Sequence, residues 1–374
     1  MIGSILLFLV VLSVLILVHE FGHFFSAKRF GVWVEEFGLG YPPRAIGKKI
    51  GDTIYSLNWL PFGGFVRLHG EQTEEGVTKP DKAFVNKSKG ARAVIISAGV
   101  IMNFLLAIVL FSITYSITGI PRQTDNVNVI EVAEGSPAEV AGIVPGEVLR
   151  QIDGKEIASV EDFQLMLADY YDEEVEVVVE TPIDEYSETR SVVIVPRGTP
   201  PEGEGSLGVV IGSTETYFPP LWQRPFYGAF YGTKEAILWG KMIIVGMFTM
   251  FSRLAGGEIP KDIAGPVGIY AITTQAAKFG AIALINFVGI FSINLAILNL
   301  LPFPPLDGWR LLMIGVEAVI RRKVMPKFEQ WVQTVGMIIL ILLLVLVTFN
   351  DVRRLVKTKS IEGYLENVIE EATP

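Results

Sequence analysis

His19-Glu20-Phe21-Gly22-His23 places two imidazoles four positions apart with a carboxylate next to the first. On a helix, residues four apart share a face, so His19 and His23 can grip one Zn²⁺ while Glu20 reaches the water that the metal activates. This is hydrolase chemistry: zinc makes water nucleophilic near neutral pH, and the glutamate takes its proton. The chain has 3 histidines in 374 residues, and two of them fall in this motif. The motif also closes a charge-free run from Ile2 to Val18. Ionisable groups at membrane depth are costly and mark function by default, so the pattern reads as a metal site inside a membrane.

The composition agrees. Hydrophobic residues make up 50% of the chain and charged residues 19%, and the mean hydropathy is +0.45, too apolar for an ordinary soluble protein. The expected class is an integral membrane protein with membrane lipid as a standing partner. Cysteine is absent, which excludes disulfides, thiolate zinc sites and cysteine nucleophiles and leaves His and carboxylates to hold any metal. A net charge of -9 and the lack of any nucleic-acid-binding motif exclude nucleic acid as a partner.

The motif needs helices to position it. The first is expected over Ile2 to Ala27 and reads as retained, because it lacks the basic start and small-residue cleavage site of a secretory signal. Lys28 and Arg29 end it, and more positives follow from Arg44 to Arg92. The positive-inside rule then puts this loop in the cytoplasm, the N-terminus outside, and the histidines toward the inner third of the bilayer. Within the loop, Tyr41-Pro42-Pro43 and the segment Asp52 to His69, with Pro61, Gly63 and Gly64, read as short strands broken by a tight turn. They form either a cytosolic hairpin or one dipping into the membrane with its edges covered. His69, the remaining histidine, is a weaker candidate ligand, since two His and a carboxylate already complete a catalytic site.

Ala93 to Ile120 is long enough for a second span, with Asn103 as its one strongly polar intruder. The acidic stretch Asp125 to Ser213 alternates strand-like runs (Val127 to Ala133, Val175 to Glu180, Ser191 to Pro196) with polar turns and reads as an α+β domain of about 90 residues outside the membrane. Phe226 to Ser252 is interrupted by Lys234, Glu235 and Lys241, and its longest charge-free stretch, Met242 to Ser252, is too short to cross. It is expected to be an interfacial or re-entrant amphipathic helix. Counting it as spanning would also set Asp307 opposite the histidines. Phe279 to Leu306 is the third span. Pro302, Pro304 and Pro305 must break it before Asp307, leaving that carboxylate at the level of His19 and His23, followed by a basic loop from Arg310 to Lys327. Trp331 to Asn350 is the last span, and it carries the C-terminus outside although Arg353, Arg354, Lys357 and Lys359 follow it. The acidic tail Ser360 to Pro374 reads as a short amphipathic helix.

The expected fold is thus a polytopic α-helical membrane protein of about four spanning helices, with a membrane-associated β-loop, an amphipathic helix and an inserted α+β domain. Residues 1–120 form the first half of the membrane core, 124–213 the outer domain, 219–277 an amphipathic linker, 278–350 the second half of the core, and 351–374 a tail.

Taken together, these features resemble the site-2 protease family of intramembrane zinc metalloproteases, in particular the bacterial regulator-of-sigma-E protease type. The resemblance rests on the histidine motif, Phe37-Gly38-Leu39-Gly40, Gly63 through Glu71, Gly265-Pro266-Val267-Gly268-Ile269, and Asn299 to Gly308 in that order. It implies that His19, His23 and Asp307 bind zinc and that Glu20 is the catalytic base. It further implies that Asn299 and Pro302 help hold the substrate backbone, and that the β-loop with Gly63, Gly64 and Phe65 re-enters the membrane and pairs with the substrate. The outer domain looks like a PDZ domain, from Glu134-Gly135-Ser136-Pro137-Ala138 through Ala141-Gly142 to Asp153-Gly154. Ser206, Leu207, Gly208 and Val209 would then form its peptide-binding loop in a permuted strand order. Two departures stand out: Trp309 replaces a second glycine after the aspartate-glycine pair, and a single PDZ-like domain stands where well-known relatives carry two.

The function so implied is intramembrane cleavage of single-pass membrane proteins, such as an anti-sigma factor already trimmed by another protease, near the cytoplasmic face of a bacterial inner membrane, with the PDZ-like domain on the outer side. Such a domain could recruit substrates or exclude bulky ones, and its place in the chain between two spans favours exclusion. A non-catalytic membrane scaffold built on the PDZ-like domain is the alternative. A transporter using intramembrane carboxylates predicts internal repeats, and none is present.

Overall fold

A computed structural model describes residues 2–71, 77–183, 186–201, 203–257, 265–322, 326–358, 360–361 and 363–364. The chain divides into two compact units, Met1–Ser116 with Pro225–Pro374, and Ile117–Arg224.

The first unit is helical apart from one hairpin. Its helices are α1 (Ile2–Arg29), α2 (Lys89–Thr118), α5 (Arg224–Ala255, from Pro225 in this unit), α6 (Pro266–Lys278), α7 (Ala281–Leu300), α8 (Asp307–Ile320) and α9 (Pro326–Thr358). Among the described residues, 5 helices (α1, α2, α5, α7 and α9) are long and apolar enough to cross a membrane. The protein is an integral membrane protein.

Helix α5 is one continuous helix longer than its longest charge-free stretch, and two of the charges that interrupt it have partners. The Lys234 ammonium lies 5.2 Å from the centre of the Phe230 ring, and Glu235 accepts hydrogen bonds from Tyr115 Oη at 3.0 Å and Trp239 Nε1 at 2.9 Å. Gly228, Gly232, Ala236 and Gly240 form a buried stripe along the helix. A Cβ at Gly232 would stand 2.6 Å from Ser112 Oγ of α2, the close approach by which small residues let membrane helices associate.

Helix α6, at 13 residues, is too short to cross and packs against α1, α7 and α9. Only Phe279 and Gly280, the latter at φ +107°, join it to α7. The Gly265-Pro266-Val267-Gly268 motif starts α6 against the buried Asp351 of α9, whose Oδ2 accepts the Gly268 N–H at 3.0 Å. A carboxylate there satisfies an orphan amide and complements the helix dipole. Residues 310–320 of the expected basic loop belong to α8. The acidic tail expected to be helical lies outside the described residues from 365 onward.

The hairpin consists of β1 (Val34–Ile50) and β2 (Thr53–Leu68), paired antiparallel with repeated register shifts. It is longer and more continuous than the short strands expected. Prolines inside it are tolerated because both strands are edges. Glu36 is buried in it, with Arg44 Nη2 at 2.6 Å and Arg67 Nη2 at 3.2 Å. Burial alone would raise its pKa, but hydrogen bonds from Arg44 and Ser56 and the two guanidinium charges bring it below the usual carboxylate range.

The second unit is a 6-stranded antiparallel sheet in the order β7-β6-β4-β3-β8, with β5 on β4. Its strands are β3 (Ile120–Val132), β4 (Val148–Ile152), β5 (Lys155–Glu156), β6 (Val175–Ile183), β7 (Tyr186–Ile194) and β8 (Val209–Tyr217). Val175, Val177 and Val179 point alternately inward to meet Phe163 and Leu167 in the core. The short helices α3 (Pro137–Val140) and α4 (Val160–Ala168) are capped by Ser136 and Ser159, whose hydroxyls accept the N–H groups of Glu139 and Asp162. Strand β8 is an edge, and α4 packs against it.

The α2–α5 contact makes a direct prediction. Gly232→Leu forces a side chain into the Ser112 backbone and should destabilise the protein by about 1–3 kcal/mol, read as a lowered thermal midpoint in detergent, whereas Gly246→Leu, whose Cβ would meet nothing within 4 Å, should leave it unchanged.

Candidate active site

Helix α1 can bring His19 and His23 to a partner only where its backbone comes close to α2, and glycine makes that possible. A Cβ on Gly22 would stand 2.9 Å from the Gly99 amide and closer still to the Ala98 carbonyl. Opposite it, a Cβ on Gly99 would come within 2.7 Å of His19 Cε1 and would also strike His23 Nε2. The imidazoles therefore lie in a space that only glycine leaves open.

Asp307 arrives from the far end of the chain as the first residue of α8. The proline segment ends α7 at Leu300, and a Cβ on Gly308 would collide with the carbonyls of Leu300 and Leu301, so glycine lets α8 start directly beneath α7. Ion pairs anchor α8: Arg92 of α2 with the buried Glu317, and Glu71 with Arg310. Lys89 Nζ also donates to the Glu317 carbonyl at 2.6 Å.

The outcome is a three-atom cluster. His19 Nε2 is 3.0 Å and His23 Nε2 3.1 Å from Asp307 Oδ2, and the two Nε2 atoms are 3.2 Å apart. Both histidines are buried. His23 Nδ1 lies 2.9 Å from the Ile95 carbonyl, which can only accept, so Nδ1 carries the proton and Nε2 presents its lone pair. Tetrahedral zinc with bonds of about 2.0–2.1 Å spaces its ligand atoms roughly 3.3–3.4 Å apart. The observed separations and the two-imidazole, one-carboxylate donor set therefore fit one zinc ion, leaving a coordination position open for chemistry.

Glu20 sits beside the first histidine, and its Oε2 accepts the Val66 backbone N–H of β2 at 3.0 Å. Strand β2 reaches this close through Gly63 and Gly64. Gly63 adopts φ +78°, and a Cβ on Gly64 would stand 3.1 Å from Leu17 of α1. Phe65 lies on the same strand and is partly buried. Asn299, partly buried, and Pro302, exposed, lie at the end of α7 and in the segment leading to Asp307.

His69 takes no part in the cluster. Its Nδ1 pairs with Glu35 Oε1 at 2.6 Å, and its Nε2 accepts the Lys79 N–H at 3.2 Å. Sequence reasoning missed Gly99 entirely, because an isolated glycine in an apolar helix carries no signal of what it faces. In the second unit, Leu207 is buried, Ser206 accepts the Arg197 N–H through its carbonyl at 2.8 Å, and Gly208 at φ +70° abuts Ser136 just before Val209 opens edge strand β8.

Two histidines and an aspartate in metal-binding contact beside a glutamate, in a chain with membrane-compatible helices, define the class of an integral membrane metal hydrolase. The model of peptidase family M50 matches residues 7–343, and the chain belongs to that family, the site-2 proteases. A zinc-metalloprotease-named protein of Clostridium perfringens is 34% identical over 92% of this chain and 97% of its own length. A similarly named protein of Clostridium acetobutylicum is 32% identical over 93% and 97%. Zinc metalloprotease RasP of Oceanobacillus iheyensis is 27% identical over 94% and 99%. The protein is a membrane zinc metalloprotease.

Gly99→Ala should lower zinc content without removing a ligand, because the added methyl occupies the histidine space. Elemental analysis of the purified variant should show substoichiometric zinc, and full occupancy would refute the close approach described.

Proposed function

We propose that His19, His23 and Asp307 are the zinc ligands, that Glu20 is the catalytic base, and that the reaction is cleavage of the membrane-spanning segment of a single-pass protein. The observation that carries this reading is the convergence of the three donor atoms beside Glu20, two of them on a helix apolar enough to cross a membrane. Bound zinc supplies Lewis-acid activation of water and of the scissile carbonyl. Glu20 takes a proton from the attacking water and delivers it to the amide nitrogen as the C–N bond breaks.

A helical substrate hides its amides in its own hydrogen bonds and must unwind to be cut. Strand β2 is suited to hold it extended, because Val66 directs its N–H toward the site rather than toward β1. Gly63, Gly64 and Phe65 on that strand, with Asn299 and Pro302 in the segment leading to Asp307, are the proposed substrate-backbone contacts. The single-pass substrate is a protein such as an anti-sigma factor, trimmed first by another protease, and its cleavage releases a cytosolic signalling fragment. The positive loop residues support a site near the cytoplasmic face of a bacterial inner membrane.

The second unit is proposed to be a PDZ-like domain on the opposite side. Edge strand β8, preceded by Ser206 to Val209 and flanked by α4, offers the unpaired backbone that strand addition requires. Its insertion between α2 and α5 makes it a filter against substrates with bulky outer portions.

Glu20→Gln should keep the zinc yet reduce cleavage of a trimmed single-pass substrate by more than about 10²-fold, measured by product mass spectrometry. A scaffold would show no such cleavage in the wild type. Deleting residues 125–213 should extend cutting to untrimmed substrates while trimmed ones are still cut. Poor cutting of trimmed substrate by a folded, zinc-loaded deletion variant would favour recruitment instead.

A further inference from the structure

Asn103 sits in the middle of α2, fully buried. Its backbone carbonyl accepts the Ser292 hydroxyl of α7 at 2.8 Å, which fixes this turn of α2 against its neighbour. Its side-chain nitrogen lies 3.5 Å from His19 Nδ1, while its buried Oδ1 has no hydrogen-bond partner among the described residues. His19 Nε2 is directed at Asp307 and His23. A neutral imidazole that presents Nε2 to a metal carries its proton on Nδ1, and that N–H needs an acceptor. With the amide as placed, two donors face each other and a buried acceptor is orphaned, a costly arrangement on both counts. Rotating the amide by half a turn exchanges its nitrogen and oxygen, which have nearly the same shape, and brings the acceptor onto His19.

We infer that Asn103 is a positioning residue whose side-chain oxygen accepts the Nδ1–H of His19 and so holds that ring in the tautomer and plane that present Nε2 to zinc. The inference rests on the proposed role of His19 as a zinc ligand. It gives the two histidines matching supports from α2: the Ile95 carbonyl for His23 and the Asn103 amide oxygen for His19. Outer contacts of this kind raise ligand basicity and fix ring orientation, and their loss typically weakens metal affinity by about 10–100-fold. A purely structural Asn103, acting only as polar glue between helices, would affect folding and leave zinc affinity alone.

The test uses full-length protein in detergent, with the zinc dissociation constant measured by competition with a chromophoric chelator and thermal unfolding of the zinc-free form measured in parallel. Asn103→Leu, similar in size and without an acceptor, should weaken zinc binding about 10–100-fold while the zinc-free form unfolds as the wild type does. Asn103→Asp, which keeps an acceptor and loses the amide donor, should bind zinc at least as tightly as the wild type. That second variant decides the matter even where the leucine variant fails to fold: a weakening of about tenfold or more on losing only the donor overturns the inference, as does undiminished affinity in a folded Asn103→Leu. His19→Ala separates the two levels, because full zinc retention there refutes the ligand role of His19 itself, whereas loss of zinc there with normal binding in Asn103→Leu refutes only the positioning role.

Discussion

Three potential metal-ligand atoms lie within 3.2 Å of one another in a buried site, a cluster that an apolar interior tolerates only with a positive charge among them. A carboxylate and two imidazole lone pairs facing one another would repel and could not be solvated, so a bound cation would stabilise the arrangement. Much of the first unit can be understood as the means of bringing these atoms together. Helix α1 supplies two of them at helical spacing, and α8 supplies the third only because α7 stops and Gly308 lets the next helix begin under its end.

Close backbone approach is the recurrent device. Gly22 and Gly99 let α1 and α2 meet at the histidines, Gly63 and Gly64 let β2 lie on α1 beside Glu20, and Gly228 and Gly232 let α5 lie on α2. Helices in lipid gain little from burying apolar surface against each other, so packing and hydrogen bonds must supply their association. Short side chains at the crossings and polar contacts such as Ser292 to Asn103 and Tyr115 to Glu235 do both. The buried ion pair of Arg92 with Glu317 acts on the same principle at the end of α8, where removing one partner would leave the other buried and uncompensated.

The second unit follows different rules. Its core is built by alternating valines and a few aromatic and aliphatic side chains from α4, as expected of a domain stabilised by burial from water. Among the described residues, Glu147 is its buried carboxylate with a shifted pKa. Burial would push that value up, but the Val144 amide, the Thr181 hydroxyl and the Arg190 guanidinium hold it below the usual range. Its contribution to stability is therefore present above the unfolded pKa of about 4.3 and lost as pH falls through the lower folded value.

How much of this was legible in the residues follows from what each signal depends on. The pair His19 and His23 with Glu20, the apolar runs, the break before Asp307 and the separate acidic domain were readable, because helical spacing, proline sterics and hydropathy are local properties of the chain. The membership in a zinc protease family was readable for the same reason, since the motifs are short and ordered. The membrane-compatible length of α5 was not, because Lys234 and Glu235 look prohibitive until Phe230, Tyr115 and Trp239 are placed beside them. Helix α8, hidden in a run that read as a basic loop, needed its anchors on α2 and Glu71 to be recognised. That His69 is satisfied by Glu35 and Lys79, that Gly99 clears the space for both imidazoles, and that Asn103 faces His19 were decided by tertiary structure alone, because each depends on atoms brought together from distant parts of the chain.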